Sequence, residues 1–218
     1  MFRIVYLSAP PHGWQMLKVL TEMVAAVTVQ HRPVEIIFTS IHDDKVSHFP
    51  KEYELGINFL GTYKIPATEI KKAPWLNFHP APLPEYRGRN VAYHALLNGA
   101  EWFGATLHFM DEEYDTGRIV EVQKFKVMPY DTAGDLVNKS HVACKSLFAA
   151  YIPKIIKDGW LPSYEQKGEG KYYKKEAIND VVTLVEGQER RVRALTVHPK
   201  HHARLVIGGV KYKIVPEE

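Results

Sequence analysis

Residues 1–38 read MFRIVYLSAPPHGWQMLKVLTEMVAAVTVQHRPVEIIF, and this stretch decides the fold class. Ile4 to Leu7 is a short apolar run closed off by Pro10 and Pro11, the pattern of a buried strand. From Trp14 to Val29, Met16 or Leu17, Leu20, Val24 and Val27 recur at spacings of three and four, which lines one face of an amphipathic helix. Val34 to Phe38 repeats the strand signal, and Ile57 to Leu60 repeats it again. Strands alternating with helices predict an α/β architecture, a mostly parallel sheet flanked by helices.

Working outward, Leu76 to His79 ends another strand, because Pro80, Pro82 and Pro84 cannot continue a sheet interior. Asn90 to Leu97 reads as a helix stopped by Asn98-Gly99. Thr106, His108 and Met110 alternate with Leu107 and Phe109, and Ile119 to Phe125 alternates likewise, so both read as strands. Thr132 with Asp135 opens a long helix through a capping box, carrying Leu136, Leu147, Tyr151 and Ile155 and expected to bend near Pro153. After Gly159 the texture changes to short strand signals at Val181 to Val185, Arg191 to Val197 and Leu205 to Ile214, with Gly208-Gly209 as a hairpin turn. The expected organisation is a main domain over residues 1–160 and a small antiparallel β unit over 161–218.

Composition narrows the function classes. Lys and Arg total 28 against 25 Asp and Glu, and a net charge of +3 over 218 residues is too mild for a dedicated nucleic-acid binder. Hydrophobic residues at 45% and charged residues at 24% fit a globular chain with a real core, not a disordered one. A single cysteine, Cys144, excludes an internal disulfide framework and reads as a core residue. The N-terminal apolar run is too short for a signal peptide and no stretch of about 20 apolar residues occurs, so a cytoplasmic protein without membrane contact is expected. Eleven histidines are the oddity. His198, His201 and His202 lack acidic or cysteine neighbours, so no metal site is expected. No G-x-G-x-x-G follows the first strand, which argues against a dinucleotide.

Three blocks carry chemistry. In Asn77-Phe78-His79-Pro80 the amide and the imidazole share a strand face at its C-terminal end, the edge where open α/β sheets bind ligands. An N–H donor beside a group that titrates near neutrality suits an oxyanion and a proton transfer, although a turn-forming Asn and a surface His fit that triplet alone. The loop from Pro80 to Asn90 is stiffened by three prolines and ends Tyr86-Arg87-Gly88-Arg89-Asn90 at a helix start, which suits a phosphate or simply a rigid connector with solvated arginines. Thr106 to Gly117 carries His108 and Met110 on the end of a strand and Asp115 and Gly117 in the acidic stretch that follows it. Read alone, that acidic stretch is a solvated turn.

Taken in order, N-x-H-P, a proline-rich loop ending Y-R-G, and H-x-M-x-x-x-x-D-T-G resemble the folate-dependent formyltransferase family, over residues 57–125 with an extension across 1–160. The resemblance implies a Rossmann-like catalytic domain in which Asn77, His79 and Asp115 are catalytic and 10-formyltetrahydrofolate donates a formyl group to an amine. Asn77 and His79 would hydrogen-bond the oxyanion formed by amine attack, and Asp115 would orient and support His79 as it moves the amine proton. The resemblance also implies that the pterin lies against Tyr63, Lys64, Ile65 and Pro66 and against the loop Asp111, Glu112, Glu113 and Tyr114. No metal is called for.

Within the family, the chain is similar to the sugar N-formyltransferases, through Y-R-G-R-N and the late segment Arg193-Ala-Leu-Thr running to Pro199 with its Gly-Gly hairpin. That implies a nucleotide-linked amino sugar such as a dTDP-4-amino-4,6-dideoxyhexose as acceptor, a place in surface polysaccharide (lipopolysaccharide O-antigen) biosynthesis, and a homodimer. Arg87 or Arg89 would meet the pyrophosphate, Asn90 the sugar, and Tyr86 or Tyr93 would stack on sugar or base. The glycinamide ribonucleotide branch carries a Gly-Ser-rich phosphate loop where this chain has Ser8 to Trp14, with Gly13 alone after two prolines. The methionyl-tRNA branch is expected to need more than the roughly 60 residues beyond the boundary and a stronger basic footprint. A silent sugar-nucleotide or folate binding protein is the reading from another class. Ala81-Pro82 departs from many relatives, which have Ser-Leu there.

Overall fold

The computed structural model describes residues 1–8, 12–28, 33–42, 45–46, 49–168, 170–174, 181–182, 189–197, 202–207 and 209–214. In chain order these form β1 (Phe2–Ser8), α1 (His12–Thr28), β2 (Val34–His42), β3 (Lys45–Val46), β4 (Leu55–Phe59), α2 (Ala67–Lys72), β5 (Trp75–His79), β6 (Tyr86–Gly88) and α3 (Val91–Leu97). They continue with β7 (Trp102–Phe109), β8 (Ile119–Lys126), α4 (Ala133–Asp158), β9 (Lys171–Tyr173), β10 (Val181–Val182), α5 (Glu189–Ala194), β11 (Arg204–Ile207) and β12 (Val210–Lys213).

The central sheet runs β3-β2-β1-β4-β5-β7-β8. Strands β2, β1, β4 and β5 pair in parallel and form its centre. Strand β3 on one side and β7–β8 on the other run antiparallel. This is the α/β fold anticipated from the strand–helix alternation. Strand β1 feeds two cores by its two-residue period: Ile4 and Tyr6 join the large cluster with Leu20 of α1 and Phe148 of α4, while Val5 and Leu7 join Tyr53, Ile65 and Trp75 on the other face. Between β4 and β5 the fit is close, since a Cβ on Gly56 would lie 2.0 Å from the Trp75 indole.

Helix α4 opens as anticipated: Thr132 accepts from the Asp135 backbone N–H and the Asp135 carboxylate accepts from the Thr132 N–H, so two otherwise orphaned donors are satisfied. The helix continues through Pro153 to Asp158 and ends on Gly159 at φ 78°. Cys144 lies in the large core, where burial pushes its thiol up. The proline-rich loop is held from below by Thr106, whose hydroxyl accepts from Leu83 N–H at 3.0 Å and donates to the Ala81 carbonyl at 2.8 Å.

Beyond residue 160, β9 pairs in parallel with β6, β11 and β12 form the antiparallel hairpin with β10 alongside, and α5 packs on α3. Tyr86–Gly88, read above as part of a loop, is strand β6, and the late segment also differs from the sequence reading. Arg191 to Val197 does not form a strand: residues 189–194 are helical, because Val192 and Leu195, three apart, face Tyr93 and Ala203 together. Of the segments discussed above, residues 9–11, the end of the first helix reading at 29, residues 183–185 of the strand reading at 181–185, and residues 198, 199, 201 and 208 lie outside the described residues. Among the described residues no helix is long and apolar enough to cross a membrane.

Candidate active site

Three separate pieces of chain bring Asn77, His79, His108 and Asp115 together. Asn77 and His79 end β5 on the face of Trp75, antiparallel pairing sets Asn77 opposite His108 of β7, and the loop after β7 returns Asp115 to the same spot. All are buried or nearly so: Asn77 is 7% exposed, His79 5%, His108 1% and the Asp115 side chain 12%. Asp115 sits at φ 57°, a left-handed conformation that Asp tolerates better than most residues. Its loop is tied down by Gln166, whose side-chain amide donates to the Asp115 and Gly117 carbonyls, each at 2.9 Å.

Obligate acceptors determine the direction of every hydrogen bond in this group. The Phe109 carbonyl can only accept, so His108 donates to it from Nδ1 at 2.8 Å. Burial holds the His108 ring below the ordinary histidine range, more strongly than Asp115 pulls it up. The neutral ring therefore presents a bare Nε2, which accepts from the Asn77 amide at 2.9 Å. The second Asn77 N–H points toward Asp115 Oδ1 at 3.4 Å, a long contact. His79 donates from Nε2 to the Tyr86 carbonyl at 2.7 Å, leaving Nδ1 facing Asp115 Oδ1 at 3.6 Å. The other Asp115 oxygen accepts from Gly88 N–H at 2.8 Å. Gly88 is at φ 94°, and a Cβ there would meet the Tyr173 carbonyl at 2.2 Å.

These side chains form part of the wall of a cavity of about 1690 Å³ at the C-terminal ends of β4 and β5. Tyr63, Lys64 and Ile65 line it, as do Asp111, Glu112, Glu113 and Tyr114, but Pro66 does not; it caps α2 instead. Two carboxylates of the acidic loop are already engaged, one within the loop and one by a lysine of α2. Asp111 accepts from Glu113 N–H and the Thr116 hydroxyl, and Glu112 pairs with Lys71 at 2.8 Å, which lowers its carboxyl below the usual range. Lys64 lies 4.9 Å over the Tyr114 ring. Arg89, Asn90 and Tyr93 also line the cavity, with Arg89 reaching the Thr62 carbonyl at 3.1 Å.

Tyr86 and Arg87 are placed elsewhere. Pairing of β6 with β9 turns Tyr86 onto Tyr173 and Phe103, and Arg87 donates to the Gly170 carbonyl at 2.8 Å beside a separate, smaller pocket. Sequence reasoning missed Asn58, a polar residue in the otherwise apolar strand β4, and also His202, Arg204, Lys211 and Lys213, which bring the C-terminal strands into the cavity wall. Asn58 was signalled by its polarity amid apolar neighbours; the hairpin cations carried no such signal. Among the described residues no group of three His, Cys, Asp or Glu is arranged to hold a metal ion.

Residues 26–152, more than half of the chain, match the family described as Formyl transferase. The chain belongs to the formyl transferase family. Among this family, the GDP-perosamine N-formyltransferase of Brucella melitensis is 31% identical over 176 residues, covering 74% of this chain and 67% of that protein. The methionyl-tRNA formyltransferase of Thermotoga maritima is 28% identical over 206 residues, covering 90% of this chain and 65% of that protein. In three dimensions, an N-formyltransferase from Helicobacter canadensis, solved with folinic acid and dTDP-3-aminofucose, superposes with a TM-score of 0.70 at 18% identity, covering 97% of this chain and 86% of that one. That likeness establishes the formyltransferase fold. The family assignment makes the chain an enzyme of formyl transfer.

Proposed function

We propose that this enzyme transfers the formyl group of 10-formyltetrahydrofolate to the amine of a nucleotide-linked amino sugar, with Asn77, His79 and Asp115 as its catalytic residues. The observation that carries the reading is the convergence of these three side chains on one cavity wall. When bound, the folate supplies an activated formyl group on its N10 and departs as tetrahydrofolate. The cavity is larger than the roughly 300–1,000 Å³ that holds one drug-sized ligand, which supports donor and acceptor side by side.

The residues fit the task. Asn77 has one N–H committed to His108 and one only loosely held, so the second is available to the formyl oxygen as negative charge builds there. His79, with Nε2 tied to Tyr86, takes the proton of the attacking amine at Nδ1, and Asp115 stabilises the imidazolium that results. Activity therefore falls at low pH, where the amine is protonated and cannot attack. The aromatic and backbone edges of residues 63–65 and 111–114 suit a flat heterocycle. Arg89 together with Arg204, Lys211 and Lys213 suits a pyrophosphate, Asn90 a sugar hydroxyl and Tyr93 a sugar or base face.

The Brucella relative's acceptor supports the amino-sugar assignment; the Thermotoga alignment over most of the chain favours methionyl-tRNA as the second reading. We assign residues 1–160 to the transfer domain and 161–218 to a small β unit that completes the cavity. A homodimer through β11–β12 accounts for the exposure of Ile207, Val210 and Tyr212, which share one face of that hairpin, and Ile207→Glu should then shift the mass seen by light scattering from dimer to monomer. A surface polysaccharide role in the cytoplasm completes the reading. The test is formylation of amino-sugar nucleotides followed by mass spectrometry, with His79→Ala in parallel. Wild-type product formation, with turnover lost and ligand binding kept in the variant, is expected; unchanged turnover in His79→Ala refutes the constellation.

A further inference from the structure

We infer that Asn58 is the positioning residue that holds the Asn77 amide in its donating orientation. The inference rests on the formyl-transfer reading for Asn77. An amide side chain works as an oxyanion donor only if its nitrogen, not its oxygen, faces the substrate, and the two ends differ little in shape. In this chain the choice is forced from both sides. From one side, the Phe109 carbonyl fixes His108 with a bare Nε2, which demands the Asn77 nitrogen. From the other, the Asn58 nitrogen donates to Asn77 Oδ1 at 2.9 Å and to the Gly61 carbonyl at 3.3 Å, so Asn77 Oδ1 is held away from Asp115.

Two further observations separate this role from a purely structural one. Asn58 is 3% exposed and lies in β4 among residues that are otherwise apolar, where Val or Ile would pack as well. Its own Oδ1 is buried at the cavity wall with no partner among the described residues, whereas an asparagine kept only for the fold would satisfy its carbonyl. Asn58 acts by donating to Asn77, and its remaining oxygen is open to an N–H of the bound donor.

Asn58→Asp and Asn58→Leu test this with the full-length enzyme and 10-formyltetrahydrofolate. The neutral carboxyl of Asn58→Asp can donate to Asn77 Oδ1, but the ionised carboxylate repels it. Its kcat relative to wild type is therefore expected to fall as pH rises, a dependence that mere loss of packing would not produce. Asn58→Leu, of similar volume, is expected to lose about tenfold or more in kcat with acceptor KM within about threefold. Side-chain 15N–1H signals of Asn77 report the same orientation without turnover and should move in both variants, in Asn58→Asp reversibly with pH. A wild type that formylates no acceptor refutes the proposed function and leaves these signals to judge Asn58. Active variants with wild-type kcat, a pH profile parallel to wild type, or unmoved Asn77 signals overturn the inference.

Discussion

Asp115→Asn removes the charge that the proposed mechanism places beside His79, together with the acceptor that lies 3.4 Å from the second Asn77 N–H. The substitution keeps side-chain shape, and asparagine accepts the left-handed backbone at φ 57°. The Gly88 N–H, 2.8 Å from Oδ2, selects the new amide's oxygen, so its N–H turns toward His79. With Nε2 already donating to Tyr86, Nδ1 becomes an acceptor and the ring is pinned in its neutral form. In the wild type, a proton taken at Nδ1 creates an imidazolium 3.6 Å from the carboxylate. Unit charges at that separation attract by about 4.6 kcal/mol at an effective dielectric of 20 and about 1.2 kcal/mol in bulk water. The side chains are only 6% and 12% exposed, which favours the larger figure. The expected loss in kcat is therefore about tenfold to about 10³-fold, with both KM values within about threefold. Steady-state rates at saturating donor and acceptor, with circular dichroism as the folding control, measure it. A folded variant with kcat within about threefold of wild type would refute a charge-stabilising role for Asp115.

Two other perturbations test the fold around the site. Gly56→Ala sets a methyl 2.0–2.5 Å from the fully buried Trp75 indole, which is overpacking worth about 1–3 kcal/mol; the melting temperature should drop by about 2–12 °C, and a shift under about 1 °C contradicts the packing account. His108 titrates at 6.5 in the unfolded chain and lower in the native one, so as pH falls below 6.5 the unfolded state takes up the proton first. The stability present above 6.5 is thus lost by up to about 1.4 kcal/mol per pH unit until the native ring protonates, and His108→Gln should flatten that slope in denaturant titrations.

Much of this site is legible in the chain because local rules decide it. The two-residue period of β5 puts Asn77 and His79 on one face, and the proline-rich loop cannot be sheet interior. What escapes the sequence is set by pairing between distant segments. Tyr86 and Arg87 leave the cavity because β6 meets β9, more than 80 residues further along, and nothing local in Tyr86-Arg87-Gly88 announces that partner. Helix α5 is six residues long, too short to be stable alone, and takes its shape from packing on α3, so its Val192 and Ala194 alternation reads equally as strand. Asn58 is visible as a polar residue in an apolar strand, but its role needs the β4–β5 register that sets it opposite Asn77.

The most direct test of the central claim is a one-pot competition in which the wild-type enzyme meets isotopically labelled 10-formyltetrahydrofolate with an amino-sugar nucleotide, glycinamide ribonucleotide and methionyl-tRNA at equal concentration. Label entering the amino-sugar nucleotide, as one added CO per amine, is the predicted result. Label entering only methionyl-tRNA or glycinamide ribonucleotide would contradict it.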